Sequence, residues 1–117
     1  MAQGRRYQDP RMAFLSINIS RAKNRKDGKE IILTPEQAYA IGEKQGWRCA
    51  ISGVRLEFTR GGTNWGGKWC NPFSCSIDRK DNTKGYTKNN CQLVTWAQNR
   101  LRGSTDLKSY KKIMGYK

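Results

Sequence analysis

The stretch SCSIDRKDNTKGYTKNNCQLVTWAQNRLRG, residues 74–103, decides the fold of this chain. It begins with a predicted strand at about 74–79, passes through a polar loop that contains Asn and Gly, and returns in a second strand at 91–94. A helix at about 95–102 follows without a further loop. We therefore expect strand, loop, strand and helix to form one unit.

Two helices are predicted before this unit. Asp9-Pro10 is typical of a helix start, with a cap followed by proline at the first helical position, and apolar residues then recur at helical spacing to about residue 25. Thr34-Pro35 begins a second helix in the same way, and Gly46 ends it.

The segment between the second helix and the unit predicts a strand and a loop. Val54–Thr59 alternates apolar with polar residues, which favours a strand, whereas Gly61–Gly67 is too rich in glycine for a regular element. Trp65 and Trp69 are expected to be core or lid residues, with stacking on nucleic-acid bases as the alternative.

The helix at 95–102 is expected to turn Ala97 and Leu101 towards the core, and a last helix is predicted at about 105–113. Three residues are available to pack in that last helix: Leu107, Tyr110 and Ile113. The 117 residues then make a single α+β domain. Its parts are an N-terminal helical region (1–47), a strand–strand–helix core (about 48–103) and a C-terminal helix (about 104–117).

The charge balance indicates the class of partner. The chain contains 23 Lys and Arg against 9 Asp and Glu, a net charge of +14 that is spread along its length. This excess favours a polyanion, and acidic small molecules fit it less well. A basic structural protein associated with RNA or the ribosome is one alternative. Since no stretch reaches a membrane-spanning length and no secretory signal is apparent, we expect a cytoplasmic protein with no membrane partner.

The cysteines of the chain are Cys49, Cys70, Cys75 and Cys91. Without an export signal, reduced thiols are expected rather than disulfides. No two of them have the C-x-x-C spacing that commonly begins a zinc knuckle. Buried, inert thiols are therefore favoured, and a zinc ion held by all four is the minority alternative.

The residues that carry the chemistry are Ser76-Ile77-Asp78-Arg79, Lys84-Gly85-Tyr86-Thr87, Asn90 and Asn99. In this order and spacing they resemble the motif of phage-type HNH endonucleases, a family with a ββα-metal fold. The resemblance covers residues 48–103, about half of the chain. It implies metal-dependent cleavage of double-stranded DNA by a phage or homing enzyme, located in the host cytoplasm if the enzyme is phage-encoded.

Three residues have roles that the resemblance implies. Hydrolysis of a phosphodiester needs a cation to neutralise charge, and Mg²⁺ prefers one or two protein oxygens together with water. Asp78 on the first strand and Asn99 on the helix supply such oxygens, and both match metal-ligating positions of the family, for Mg²⁺ or Mn²⁺. Asn90 matches the family's central Asn, which bonds to the backbone and holds the loop over the site. Taken singly, an Asp here is a turn former and an Asn an exposed amide.

Arg79 departs from the family pattern, which places a histidine there as the general base. The chain contains no histidine, and arginine stays protonated. We expect Arg79 to bind the scissile phosphate and stabilise its developing charge, with a salt bridge to Asp81 as the alternative. The proton then passes to another group, for which Tyr86, Glu57 and a metal-bound water are the candidates.

Lys and Arg side chains are expected to bind the DNA backbone in a salt-dependent way. Arg100 and Arg102 flank Asn99 on its helix and are expected to hold the backbone near the cut. The remaining expected contacts lie on the loop and on the first helix: Lys80, Lys84, Lys88, Arg21, Lys23 and Arg25.

The sequence therefore predicts a divalent-metal-dependent DNA endonuclease. A DNA-binding protein that keeps this fold but does not cleave is the principal alternative, because the usual general base is missing.

Overall fold

A computed structural model describes residues 9–23, 31–59, 64–65, 68–69 and 71–116 of the chain. The described helices are α1 (Pro10–Lys23), α2 (Pro35–Gln45), α3 (Trp96–Arg102) and α4 (Leu107–Met114). The described strands are β1 (Asn64–Trp65), β2 (Lys68–Trp69), β3 (Cys75–Arg79) and β4 (Cys91–Thr95). These elements form a small α+β domain, as expected. In this part of the chain, no helix is long and apolar enough to cross a membrane.

The antiparallel hairpin of β3 and β4 lies at the centre of the domain. Cys75 pairs with Thr95 at one end of the ladder, and Arg79 pairs with Cys91 at the other. Thr95 also caps α3, because its side chain accepts a hydrogen bond from the backbone N–H of Gln98. The predicted strand–loop–strand–helix order is confirmed, with boundaries within one residue of those expected.

Helix α3 lies along β3 and runs in the same direction. At its start, the N–H of Trp96 donates to the carbonyl of Ser74 at 2.7 Å. At its end, Arg102 donates through its side chain to the carbonyl of Lys80 at 2.9 Å. The helix therefore covers the full length of one face of β3.

Helix α2 has the caps that its sequence predicts. Thr34 and Gln37 form a capping box, each accepting a backbone hydrogen bond from the other at 3.1 Å. Gly46 ends the helix in the left-handed region, with φ of 64°. Trp47 then turns back onto the helix, where a Cβ on Gly42 would lie 2.1 Å from its ring. Glycine at position 42 thus makes room for the indole.

Side-chain amides connect the N-terminal helices to the hairpin. Asn18 of α1 donates to the carbonyl of Cys75 at 3.2 Å. Gln45 of α2 donates to the carbonyl of Leu93 at 2.9 Å and accepts from its N–H at 3.0 Å. The core between these elements includes Leu15, Leu33, Leu56, Leu93 and Val94. The predicted end of the first helix at about residue 25 lies outside the described residues.

Two predictions between α2 and the hairpin need correction. Val54–Thr59 forms no strand, because it pairs only at isolated bridges from Arg55 to Arg48 and from Glu57 to Ser74. The predicted loop Gly61–Gly67 contains the short strand β1, which pairs antiparallel with β2 directly after the loop. The side chains of Trp65 and Trp69 lie outside the described part of the structure.

The inward face of α3 was also predicted wrongly. Leu101 is 67% exposed, whereas Gln98 and Arg102 are buried. Arg102 is buried against Asp78 of β3. Gln98 donates a hydrogen bond to the hydroxyl of Tyr110 on α4, so both buried side chains have polar partners. In α4, Tyr110 is buried as expected, but Ile113 is 74% exposed.

Candidate active site

Asp78 is the buried carboxylate at the centre of the candidate site. It lies near the end of β3 and is 4% exposed. Its Oδ2 atom accepts hydrogen bonds from Nη1 of Arg102 at 2.6 Å and from Nε2 of Gln92 at 2.9 Å. Burial raises the pKa of Asp78, and the hydrogen bonds from Gln92 and Arg102 oppose that rise. The carboxylate is therefore fixed in place by one cation and one amide.

Arg102 is an interior residue, and its predicted contact with DNA is wrong. The residue is 1% exposed. Besides Asp78, its guanidinium donates to the carbonyls of Arg79 at 2.8 Å, Lys80 at 2.9 Å and Thr105 at 2.9 Å. Arg102 thus joins the end of β3 to the turn after α3, and its charge is used inside the protein.

Asn99 lies on the same side of the hairpin as Asp78. Its Nδ2 donates to Oγ of Ser76 at 2.7 Å, and Ser76 precedes Asp78 by two residues, so both point to the face that α3 covers. Within the described residues, Oδ1 of Asp78 and the amide oxygen of Asn99 accept no hydrogen bond. These are the two side chains that the sequence predicts as metal ligands.

The site provides oxygen donors for a divalent cation, but little negative charge. Carboxylate and amide oxygens suit Mg²⁺, which proteins often hold with one or two carboxylates and the phosphates of a substrate. Arg102 neutralises Asp78, and the described residues contain no group of three or more His, Cys, Asp or Glu that would hold a metal. The residues present therefore fit a cation that binds together with a phosphate better than a cation held by the protein alone.

Arg79 leaves β3 on the face opposite Asp78, because successive strand residues alternate. Its guanidinium carbon lies 4.9 Å from the centre of the Tyr86 ring, and its Nη1 donates to the carbonyl of Lys84 at 3.5 Å. Tyr86 is 6% exposed. Arg79 therefore packs on the loop between the strands, beside the end of β3.

Asn90 holds that loop closed. Its Nδ2 donates to the carbonyls of Asp81 at 3.1 Å and Gly85 at 2.8 Å, and its Oδ1 accepts from the N–H of Asp81 at 3.0 Å. All three bonds go to the backbone, which is the organising contact expected of this residue. The loop next to Asp78 thereby has a fixed path.

The candidate proton acceptors differ in their position. Glu57 is bonded to Asn71 at 2.9 Å and bridges to Ser74, four residues before Asp78 along β3. Four strand residues span about 13 Å, so Glu57 is remote from Asp78. Of Glu57 and Tyr86, it is Tyr86 that contacts a site residue, because its ring packs against the guanidinium of Arg79.

Most of the other cationic residues predicted to bind DNA are on the surface. Arg100 is exposed, and its guanidinium carbon lies 5.1 Å from the centre of the Trp96 ring. Five more residues are exposed as expected: Arg21, Lys23, Lys80, Lys84 and Lys88. Arg25 lies outside the described residues.

The hairpin register excludes a zinc ion bound by all four cysteines. Cys75 and Cys91 lie at opposite ends of the ladder, four residues or about 13 Å apart, whereas zinc–sulfur bonds are about 2.3 Å long. Cys49, Cys75 and Cys91 are buried free thiols. Burial raises the pKa of Cys75 to about 12 and that of Cys91 to about 11. Cys70 lies outside the described residues.

Two contacts of the site are not predicted from the sequence. Gln92 pairs with Asp78 across the hairpin, and Ser76 lies opposite Asn99. Cross-strand pairing is the signal that would find Gln92, because residues opposite each other in an antiparallel pair interact. Ser76 carries no comparable signal, since its partner comes from the helix.

Comparisons of the chain with protein-family models, with curated proteins and with solved structures find no match. The resemblance to HNH endonucleases therefore rests on the sequence motif alone.

Proposed function

We propose that this chain is a divalent-metal-dependent DNA endonuclease of the HNH type, from the phage or homing group. One observation carries the proposal. Asp78 and Asn99, on different elements, each keep a side-chain oxygen without a hydrogen bond among the described residues, on the same side of the hairpin. The net charge of +14 supports a polyanionic substrate.

Each side chain of the site has a role in this proposal. Asp78 and Asn99 would hold Mg²⁺ or Mn²⁺, which supplies charge neutralisation at the scissile phosphate. Arg102 and Gln92 hold the Asp78 carboxylate in one orientation. Arg79 contributes positive charge at the end of β3, where it favours an anionic phosphate. Asn90 keeps the loop beside these groups closed.

The test is conversion of supercoiled plasmid to nicked or linear DNA with Mg²⁺, Mn²⁺ or EDTA. Asp78→Asn and Asn99→Ala are expected to abolish cleavage, and Arg79→Ala, on the opposite face of β3, to reduce it without abolishing it. Asp78→Asn is chosen because its amide oxygen can still accept a hydrogen bond from Arg102, and circular dichroism melting checks that this variant is folded. Asn89→Ala, at an exposed loop position, is the matched control and should cleave like the wild type. Cleavage that persists in EDTA would contradict the proposal.

A DNA-binding protein without cleavage activity is the second candidate. The ion pair between Arg102 and Asp78 favours it, because a protein cation already neutralises the carboxylate that a metal would need. The absence of histidine also fits this function. Tight binding of duplex DNA with no cleavage under any metal condition, on substrates that include a wide range of sequences, would establish it in place of the endonuclease.

A further inference from the structure

A groove with a volume of about 350 Å³ opens between α2 and the β3–β4 hairpin. Three lysines from separate parts of the chain line it: Lys44 in the last turn of α2, Lys80 after β3, and Lys88 before β4. No Asp or Glu is among its lining residues. We propose that this lysine groove binds the phosphate backbone of duplex DNA, independently of sequence and of metal.

The backbone on both sides of the groove is fixed. The N–H of Lys80 donates to the carbonyl of Asn90 at 2.7 Å, which closes the loop that carries Lys80 and Lys88. Lys44 lies on a helix whose end is set by Gly46 and by the bonds of Gln45 to Leu93. The backbone that carries the three lysines is therefore ordered before the ligand binds, so binding does not include the cost of ordering it.

The charge of the groove is not balanced by the protein. All three lysines are exposed, and within the described residues none of them forms an ion pair. Lysine is a compact point charge suited to phosphate oxygens. A polyanion is the ligand that such a surface favours, and this inference takes duplex DNA from the proposed function without depending on cleavage.

The groove lies next to the candidate site. Lys80 follows Asp78 by two residues, so their Cα atoms are at most about 7 Å apart. Gln92, which lines the groove, also donates a hydrogen bond to Asp78. A DNA strand bound by the three lysines therefore passes beside the carboxylate. Lys80 and Lys88 are among the DNA contacts that the sequence predicts, and the groove adds Lys44 to them.

The experiment measures binding of a fluorescent duplex by anisotropy in EDTA across a salt series. The groove variant carries Lys44→Gln, Lys80→Gln and Lys88→Gln. Its matched control carries Lys108→Gln, Lys111→Gln and Lys112→Gln on α4, which removes the same charge elsewhere. Circular dichroism melting of each variant confirms that it is folded.

Each phosphate contact contributes about 0.9 to the slope of log K against log salt, so the groove variant should lose about 2.7 from that slope. Its affinity change between about 50 and 200 mM salt then becomes about 40-fold smaller than that of the wild type. The control should keep a slope near that of the wild type. The proposal would be overturned if the salt slope fell equally in both variants or stayed unchanged in the groove variant. It would also be overturned if the wild type did not bind DNA.

A polyglutamate competitor separates DNA from acidic polypeptide as the ligand. Displacement of the duplex at equal charge concentration would overturn DNA as the ligand of the groove. Plasmid cleavage is measured separately. If the groove variant shows the reduced salt slope and the wild type does not cleave plasmid, the lysine groove is supported as a DNA-binding site and the endonuclease proposal is contradicted. If the groove variant keeps the wild-type salt slope and cleavage is normal, only the proposal of DNA binding in the lysine groove is contradicted.

Discussion

Nη1 of Arg102 lies 2.6 Å from Oδ2 of Asp78, and the two side chains are 0% and 5% exposed. The protein thus places its own cation beside the carboxylate proposed to hold a metal. A buried carboxylate with a guanidinium partner attracts a further cation weakly, because its charge is already balanced. The negative charge of Asp78 is therefore balanced within the protein itself.

Metal binding by the DNA-free protein is expected to be weak for this reason. A ligand raises the melting temperature only if it binds the folded state at the concentration used. Millimolar Mg²⁺ should therefore leave the melting temperature of the free protein unchanged, whereas Mg²⁺ added to the DNA complex should raise it further. Differential scanning fluorimetry measures both. A clear rise in the melting temperature of the free protein would show that Arg102 does not prevent the Asp78 carboxylate from binding Mg²⁺.

Arg102→Met should destabilise the protein strongly. It leaves the Asp78 carboxylate buried without its cation, and breaking such a pair costs about 3–5 kcal/mol. It also removes a donor from three backbone carbonyls. Arg100→Met, on the exposed side of the same helix, is the matched control and should change stability by no more than about 0.5 kcal/mol. Urea denaturation measures both, and equal effects of the two substitutions would contradict a special role for the ion pair.

Asn90→Ala should open the loop between the strands of the hairpin. The substitution removes three hydrogen bonds to the backbone, each with a net contribution of about 1 kcal/mol, so a loss of about 3 kcal/mol is expected. Asn89→Ala changes the same residue type at an exposed neighbour and should have little effect. Hydrogen exchange supplies a local readout, since protection in residues 80–90 should fall in the Asn90 variant. Unchanged exchange there would show that the loop does not depend on Asn90.

The buried thiols predict a loss of stability at alkaline pH. An unfolded cysteine ionises near its reference pKa of 9.0, whereas burial raises the pKa of Cys75 to about 12 and that of Cys91 to about 11. Because the folded pKa values are the higher ones, this contribution is fully present below about pH 9 and declines as the pH rises towards the folded values.

The measurement compares the free energy of unfolding at about pH 8 and about pH 10 in the wild type and in Cys75→Ala/Cys91→Ala. The lysines are the same in both proteins, so the difference between the two changes in the free energy of unfolding comes from the thiols. The wild type should lose more stability than the variant over this interval, and its two thiols should resist alkylation until urea is added. Parallel losses would contradict the expected shifts.

The hairpin and its helix were predictable because their signals are local. The polar loop with Asn and Gly separates two short strand segments, Thr95 is a helix cap, and the motif of Asp78 and Asn99 is a pattern of residue types and spacing. Asn90 was likewise placed correctly, since its bonds stay within ten residues of it.

The buried face of α3 was not predictable from its own residues. Apolar spacing favours Ala97 and Leu101, whereas Gln98 is buried against Tyr110 of α4 and Arg102 against Asp78 of β3. The predicted contact of Arg102 with DNA is wrong for a related reason. Its partner Asp78 is 24 residues away, and burial of an arginine depends on acceptors that only the folded structure brings together.

The amide contacts of the N-terminal helices have a consequence for biosynthesis. Asn18 of α1 bonds to Cys75, and Gln45 of α2 bonds to Leu93. Both helices are therefore translated well before the strands that they contact have left the ribosome. Until then the apolar side chains of α1 and α2 have no sheet to cover them, and the nascent chain is exposed to chaperones or to aggregation. The contacts of α2 with Leu93 therefore form only after β4 has left the ribosome.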